Sequence, residues 1–184
     1  MAFAKKQFSS HFGESVSLDV SGPLDQIPPE TLAGYAKDAG VALAVVDVRQ
    51  PDEFAKGHIA GSRNVPYGEA LDAATKQLCA DAAAAIKDGK KPAVVFVSFQ
   101  SPDLDVNAAL QFASEWDDGG HAAATAVAAD RVAQTLLGGV CVWLQKHKDD
   151  PALTAAYDAA HWDDALAKLT IADAAPVKEA VAVA

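Results

Sequence analysis

The sequence predicts an α/β fold, a parallel β-sheet flanked by helices. Two runs of mostly β-branched and apolar residues, Val41–Val48 (VALAVVDV) and Pro92–Phe99 (PAVVFVSF), have the pattern of strands buried on both faces. Segments with apolar residues at helical spacing lie before, between and after them, and strands alternating with helices point to a parallel sheet.

Each element follows from its own signals. Ile27 to Gly40 opens on Pro28-Pro29-Glu30 and closes on glycine, the asymmetry expected of a short helix. Pro51-Asp52-Glu53 starts a helical turn after the first strand, and GHIAGSRNVP reads as a loop punctuated by glycine and proline. Leu71, Leu78, Ala82 and Ile86 recur near helical spacing until Asp88-Gly89 ends the run. Beyond the second strand, Val106 to Trp116 predicts a helix stopped by Asp118-Gly119-Gly120. Arg131 to Leu137 is a weaker third strand, and Gly138-Gly139 leads into a helix carrying Val140, Trp143 and Leu144. Ala152 to Leu169 is read as one further helical segment, with Tyr157, Trp162 and Leu166 as its large residues.

Composition bounds the function. The 184 residues suffice for one ordinary domain with a proper core. Half of them are apolar, yet aromatics make up only 7%, because alanine carries much of the count. The 25 acidic against 15 basic residues leave a net charge of −10, which argues against broad contact with nucleic-acid phosphate or an anionic lipid surface. No apolar stretch reaches membrane-spanning length, so no direct membrane insertion is expected. Two cysteines, Cys79 and Cys141, are too few for a disulfide framework and favour an intracellular reducing compartment, cytoplasm or mitochondrial matrix. The acid-free start MAFAKKQFSSHF holds two lysines and no arginine, and is read as part of a solvated arm over residues 1–26. An Ala/Val-rich tail is expected over 170–184, with the folded domain between, at 27–169.

The motifs sharpen this. Asp47-Val48-Arg49, then Glu53-Phe54, then Gly57-His58-Ile59-Ala60-Gly61-Ser62, then Asn64-Val65-Pro66, form a combination that resembles the rhodanese family. Leu137-Gly138-Gly139 with Trp143 is similar to a further passage of that family. KDDPALTAAYDAAHW is similar to its branch of cell-division-cycle phosphatases and eukaryotic arsenate reductases. The resemblance implies a central parallel sheet of about five strands with helices on both faces. It implies structural roles for Asp47 and Arg49, which brace loops at a strand's carboxyl end, for the turn residues Gly57, His58 and Gly61, and for a core Trp143.

The resemblance also locates the loop in which active members of that branch carry out their chemistry. Their strand ends in His-Cys, and an arginine follows after five intervening residues. Backbone N–H groups and a helix N-terminus lower the thiol pKa and cradle an anion, while the arginine clamps it. The stretch that aligns here is Val97-Ser98-Phe99-Gln100-Ser101-Pro102-Asp103-Leu104. Val97, Ser98 and Leu104 occupy the histidine, cysteine and arginine positions. A serine hydroxyl needs an adjacent base, none is evident within the loop, and serine cannot form a persulfide. Leucine provides no donor, and Pro102 removes one N–H. Asp103 and Asp105 are expected to place two negative charges where an anion would bind, each opposing a monoanion by roughly 1–3 kcal/mol at about 5 Å. Cys141, near a predicted helix N-terminus, is read as packing beside Trp143, and Cys79 as packing on an amphipathic helix.

No metal site is expected, since neither Asp103 and Asp105 nor His161 with Asp163 and Asp164 has a metal-ligand spacing. No cofactor is implied. The expectation is therefore a catalytically inactive rhodanese-like domain serving as a structural or interaction module, an accessory subunit of a larger assembly, organellar assemblies included. Other protein subunits would be contacted in part by the arm and the tail. The alternative is an active sulfurtransferase, phosphatase or arsenate reductase with a non-standard nucleophile.

Overall fold

A computed structural model describes residues 24–101 and 103–169. Its main sheet has five parallel strands in the order β1-β6-β5-β2-β4: β1 Asp25–Ile27, β2 Val41–Asp47, β4 Arg63–Asn64, β5 Lys91–Val97 and β6 Ala133–Leu136. A separate antiparallel pair joins β3, His58–Ile59, to β7, Thr154–Ala155. The helices are α1 Pro29–Tyr35, α2 Pro51–Phe54, α3 Glu69–Lys87, α4 Leu104–Asp118, α5 His121–Thr125, α6 Gly139–His147 and α7 Ala159–Lys168, with a 3₁₀ turn at Ala129–Arg131.

Side-chain alternation along the central strands builds two cores. Val46, Val94 and Phe96 face Leu71, Leu78, Phe112 and Trp116 of α3 and α4. Their neighbours Val45, Val95 and Val97 face the other way, onto Leu32 of α1, Trp143 and Leu144 of α6, and Trp162 and Leu166 of α7. A strand with apolar residues on both faces is the pattern of a parallel sheet covered by helices on either side.

Several elements differ from the sequence reading. β1 is only three residues long and takes Asp25 and Gln26 into the sheet beside Gln134 and Thr135. The GHIAGSRNVP stretch holds β3 and β4 as well as turns, because two-residue ladders are too short to leave a periodic signal. The second strand ends at Val97, so Ser98 and Phe99 belong to the loop that follows. The third strand is confined to Ala133–Leu136, with the 3₁₀ turn before it.

The helix expected over 152–169 is corrected. Thr154 and Ala155 pair with β3, Ala156 takes a left-handed φ of 55°, and the helix begins only at Ala159. Its start is set by Asp158, whose side chain accepts from the His161 N–H. The short α5 lacked any periodic signal. Residues 1–23 and 170–184, expected as arm and tail, lie outside the described residues, as does Pro102.

The junction of α6 with the loop after β5 is the tightest approach in this part of the fold. Gly139 has φ +63°, and a Cβ there would stand 2.8 Å from the carbonyl oxygens of both Ser98 and Phe99. The conformation and the contact both demand glycine. Gly139→Ala is expected to lower stability by about 2–4 kcal/mol, because backbone rather than a flexible side chain must yield. Urea unfolding checks this.

Candidate functional site

Chain order along the sheet reverses between β2 and β5: β4 follows β2 on one side, and the chain then crosses to β5 on the other. The crevice at the carboxyl ends of such strands is where open α/β sheets bind ligands. A cleft of about 70 Å³ lies there, lined by Val48, Arg49, Gln50 and Glu53 after β2 and by Ser98, Phe99, Asp103 and Leu104 after β5. The sequence-predicted loop and the brace residues therefore share one site.

The β2 side is held by a buried ion pair. Arg49 Nε donates to Asp47 Oδ1 at 2.9 Å and Nη2 to Asp47 Oδ2 at 2.6 Å, with both side chains almost wholly buried. Nη2 also donates to Gly57 O at 2.8 Å, and Nη1 reaches Glu53 O. Asn64 Nδ2 donates to the carbonyls of Asp47 and Arg49, tying β4 to the same corner. Among the described residues lining the cleft, Arg49 is the sole cation, and its guanidinium faces these partners. Glu53 is half-buried, and burial pushes its carboxyl up, opposed by Arg49.

The turn residues behave as scaffold. His58 Nδ1 donates to Phe54 O at 2.9 Å while its ring stacks on Phe54. Gly57 has φ +151°, and a Cβ there would meet Trp162 Nε1 at 2.9 Å. Gly61 turns with φ +77°, and Pro66 is half-buried after Asn64. Trp143 is buried and donates to Leu153 O.

The β5 loop is fastened on two sides. The carbonyls of Ser98 and Phe99 accept from Val140 N–H at 3.0 Å and Cys141 N–H at 3.2 Å, the first turn of α6 beyond Gly138-Gly139. The Phe99 ring stacks on Trp162. Ser98 Oγ lies 3.0 Å from both Asp105 Oδ1 and Gln100 O, with one proton to share between them. Leu104 packs its half-buried side chain against the α3–α4 core.

Asp105 is the departure from expectation. Its charge was expected at the anion position, yet it is fully buried behind the loop and does not line the cleft. Its Oδ1 accepts from Asp103 N–H at 2.7 Å, so a carboxyl does stand within reach of the Ser98 hydroxyl. Burial pushes Asp105 up from the ordinary carboxylate range, opposed by the Ser101 hydroxyl, the Asp103 N–H and the Ser98 hydroxyl. The signal was available in the helical pattern. Asp105 precedes Ala108, Ala109 and Phe112 by three, four and seven residues, and that face of α4 is buried. Both cysteines are buried, and burial pushes each thiol up to about 12, Cys141 behind the loop and Cys79 on α3.

The family model of the rhodanese-like domain matches residues 29–146, well over half of the chain. The chain belongs to the rhodanese-like domain family. No curated protein matches it in sequence. Among solved structures it is similar to Ygr203w of Saccharomyces cerevisiae, described as a homolog of single-domain rhodanese and of the Cdc25 phosphatase catalytic domain. That match has 22% identity and a TM-score of 0.58, covering 77% of this chain and 92% of the yeast one. It is also similar to an As-Sb reductase from Leishmania major, at 23% identity and a TM-score of 0.57, covering 71% of this chain and 84% of the reductase. At such identities the likeness is one of fold.

Two outcomes follow from the geometry. Arg49→Leu strands the Asp47 carboxylate in a buried site and should cost about 3–5 kcal/mol, read from denaturant midpoints. For Asp105, a raised value means that the native state retains a proton that the unfolded chain releases above its ordinary 3.8. The associated stability is full below that value and is lost as pH rises towards the folded one. Asp105→Asn should therefore gain stability relative to the parent as pH is raised from about 4, and a pH series of urea midpoints checks this.

Proposed function

We propose that this rhodanese-like domain is non-catalytic and serves as a structural or protein-interaction module, an accessory subunit of a larger assembly. The observation that carries the reading is the composition of the crevice between β2 and β5. Its described lining holds no thiol, and its sole cation is engaged by Asp47, Gly57 and Glu53. Ser98 stands where the resemblance sets a cysteine, and Leu104 where it sets an arginine.

Sulfur transfer needs a sulfur nucleophile, and phosphoryl or arsenate chemistry needs a cation or free N–H groups to hold the oxyanion. The buried cysteines do not supply the first, since a thiol held near 12 has almost no thiolate at neutral pH. The scaffold motifs nevertheless remain intact around the empty chemistry, which favours a role for shape. Partners are other protein subunits, contacted in part by the segments at either end of the chain. The charge balance speaks against nucleic acid. Among the described residues no helix is long and apolar enough to cross a membrane. Two free thiols suit a reducing compartment, cytoplasm or mitochondrial matrix.

One observation favours a second reading, an enzyme with an unusual nucleophile: Ser98 Oγ lies 3.0 Å from a carboxylate oxygen of Asp105. Thiosulfate:cyanide, aryl-phosphate and arsenate assays on purified protein separate the two readings. The expected outcome is no turnover above the uncatalysed rate. Turnover that disappears in Ser98→Ala or Cys141→Ala would establish the enzyme instead. Purification at native abundance tests the assembly role: stoichiometric companion chains are expected, and a strictly monomeric protein would refute it.

A further inference from the structure

The protons around Ser98 do not suffice if Asp105 is ionised. Ser98 Oγ lies 3.0 Å from Gln100 O and 3.0 Å from Asp105 Oδ1. Two such contacts between oxygens take two protons, and the serine hydroxyl carries one. A carbonyl has none to give, and neither has a carboxylate. A neutral carboxylic acid supplies the second, and its Oδ1 keeps a lone pair for the Asp103 N–H at 2.7 Å. The surroundings favour that form. Asp105 is fully buried, and its Oδ2 makes no well-formed hydrogen bond among the described residues. Burial outweighs the nearby donors and pushes the carboxyl up. The titratable groups on the elements around the loop and α4 offer no charge to balance a carboxylate. Cys141 of α6 stays protonated, pushed up to about 12, and Asp103 and Glu53 are themselves acids. Asp72 of α3 is an acid held by Gln111, and Arg49 is engaged by Asp47.

We propose that Asp105 is a proton-held latch on the β5 loop: its neutral carboxyl donates from Oδ1 to Ser98 Oγ, and the Ser98 hydroxyl donates on to Gln100 O. The latch is shut while the carboxyl keeps its proton. When pH rises and the proton leaves to solvent, Ser98 has one proton for two acceptors. The buried carboxylate is then left with the Asp103 N–H and at most that one hydroxyl. The loop gives up its Gln100 contact or turns the carboxylate out of its buried site, since an undercompensated buried charge is costly. Ser98, Phe99, Asp103 and Leu104 line the crevice, so its shape follows pH. The latch deepens the non-catalytic reading of the crevice and rests on it in one respect. In the shut state Asp105 gives a proton to Ser98 and so cannot serve as its base. Turnover assays decide that reading and titration of the loop decides this one, so either can fail alone.

The full chain, uniformly isotope-labelled, is titrated by NMR from about pH 3 to about pH 9, following the Asp105 carboxyl carbon and the Ser98 and Gln100 amides. The carboxyl should titrate above the ordinary 3.8, and both amides should move with the same midpoint. In Asp105→Asn the movement of both amides at that midpoint should be lost. Glu53→Gln removes the other carboxyl that burial pushes up in the crevice, and should leave that movement in place. An Asp105 carboxyl that titrates at or below the ordinary 3.8 would overturn the proposal. So would amides that ignore the Asp105 midpoint, that still move at it in Asp105→Asn, or that stop moving in Glu53→Gln. If Asp105→Asn does not fold, the parent's own carboxyl and amide midpoints, with those of Glu53→Gln, decide.

Discussion

Asp47 ends β2 with its carboxylate buried, and Arg49, two residues on, returns a guanidinium to it through Nε and Nη2. Such a pair gains little net stability over an apolar replacement, because desolvation offsets much of the attraction. Its contribution here is directional. The same guanidinium reaches the carbonyls of Glu53 and Gly57, which fixes where α2 ends and where β3 begins. Trp162 then donates to Lys56 O and stacks on Phe99, so α7 and the β5 loop take their positions from that corner. One side of the crevice is thereby held rigid by hydrogen bonds whose donors all turn away from it.

The loop opposite is held from two directions. Its carbonyls are capped by the first N–H groups of α6, which come close enough only because Gly139 lacks a Cβ. Its inner donors meet the carboxyl of Asp105. The loop is thereby fastened through two of its carbonyls and through the Asp103 N–H.

These constraints belong to the scaffold and do not depend on a nucleophile. A rhodanese-like domain can keep its β2 corner, its α6 contact and its two cores whatever residue stands at position 98. This separability of fold from site is why family membership and the proposed non-catalytic role are compatible.

Much of the architecture was legible in the sequence. The long apolar runs of β2 and β5, the helical spacing of α3 and α4, and the brace motif from Asp47 to Pro66 carry strong local signals, and the fold follows from them. β1, β3, β4 and β7 were not legible, because strands of two or three residues exist only through their partners across the sheet. The break at Ala156 was hidden for the same reason: pairing with β3 overrides a helical pattern. At the site, the residue types at positions 98 and 104 could be read directly. Where the Asp105 carboxyl points could not, since its charge suggested solvent while its place on the buried face of α4 turned it inward. Residue identity along the chain determined that a serine stands at position 98 and a leucine at position 104. Only tertiary packing decided that the Asp105 carboxyl is buried against the Asp103 N–H and the Ser98 hydroxyl.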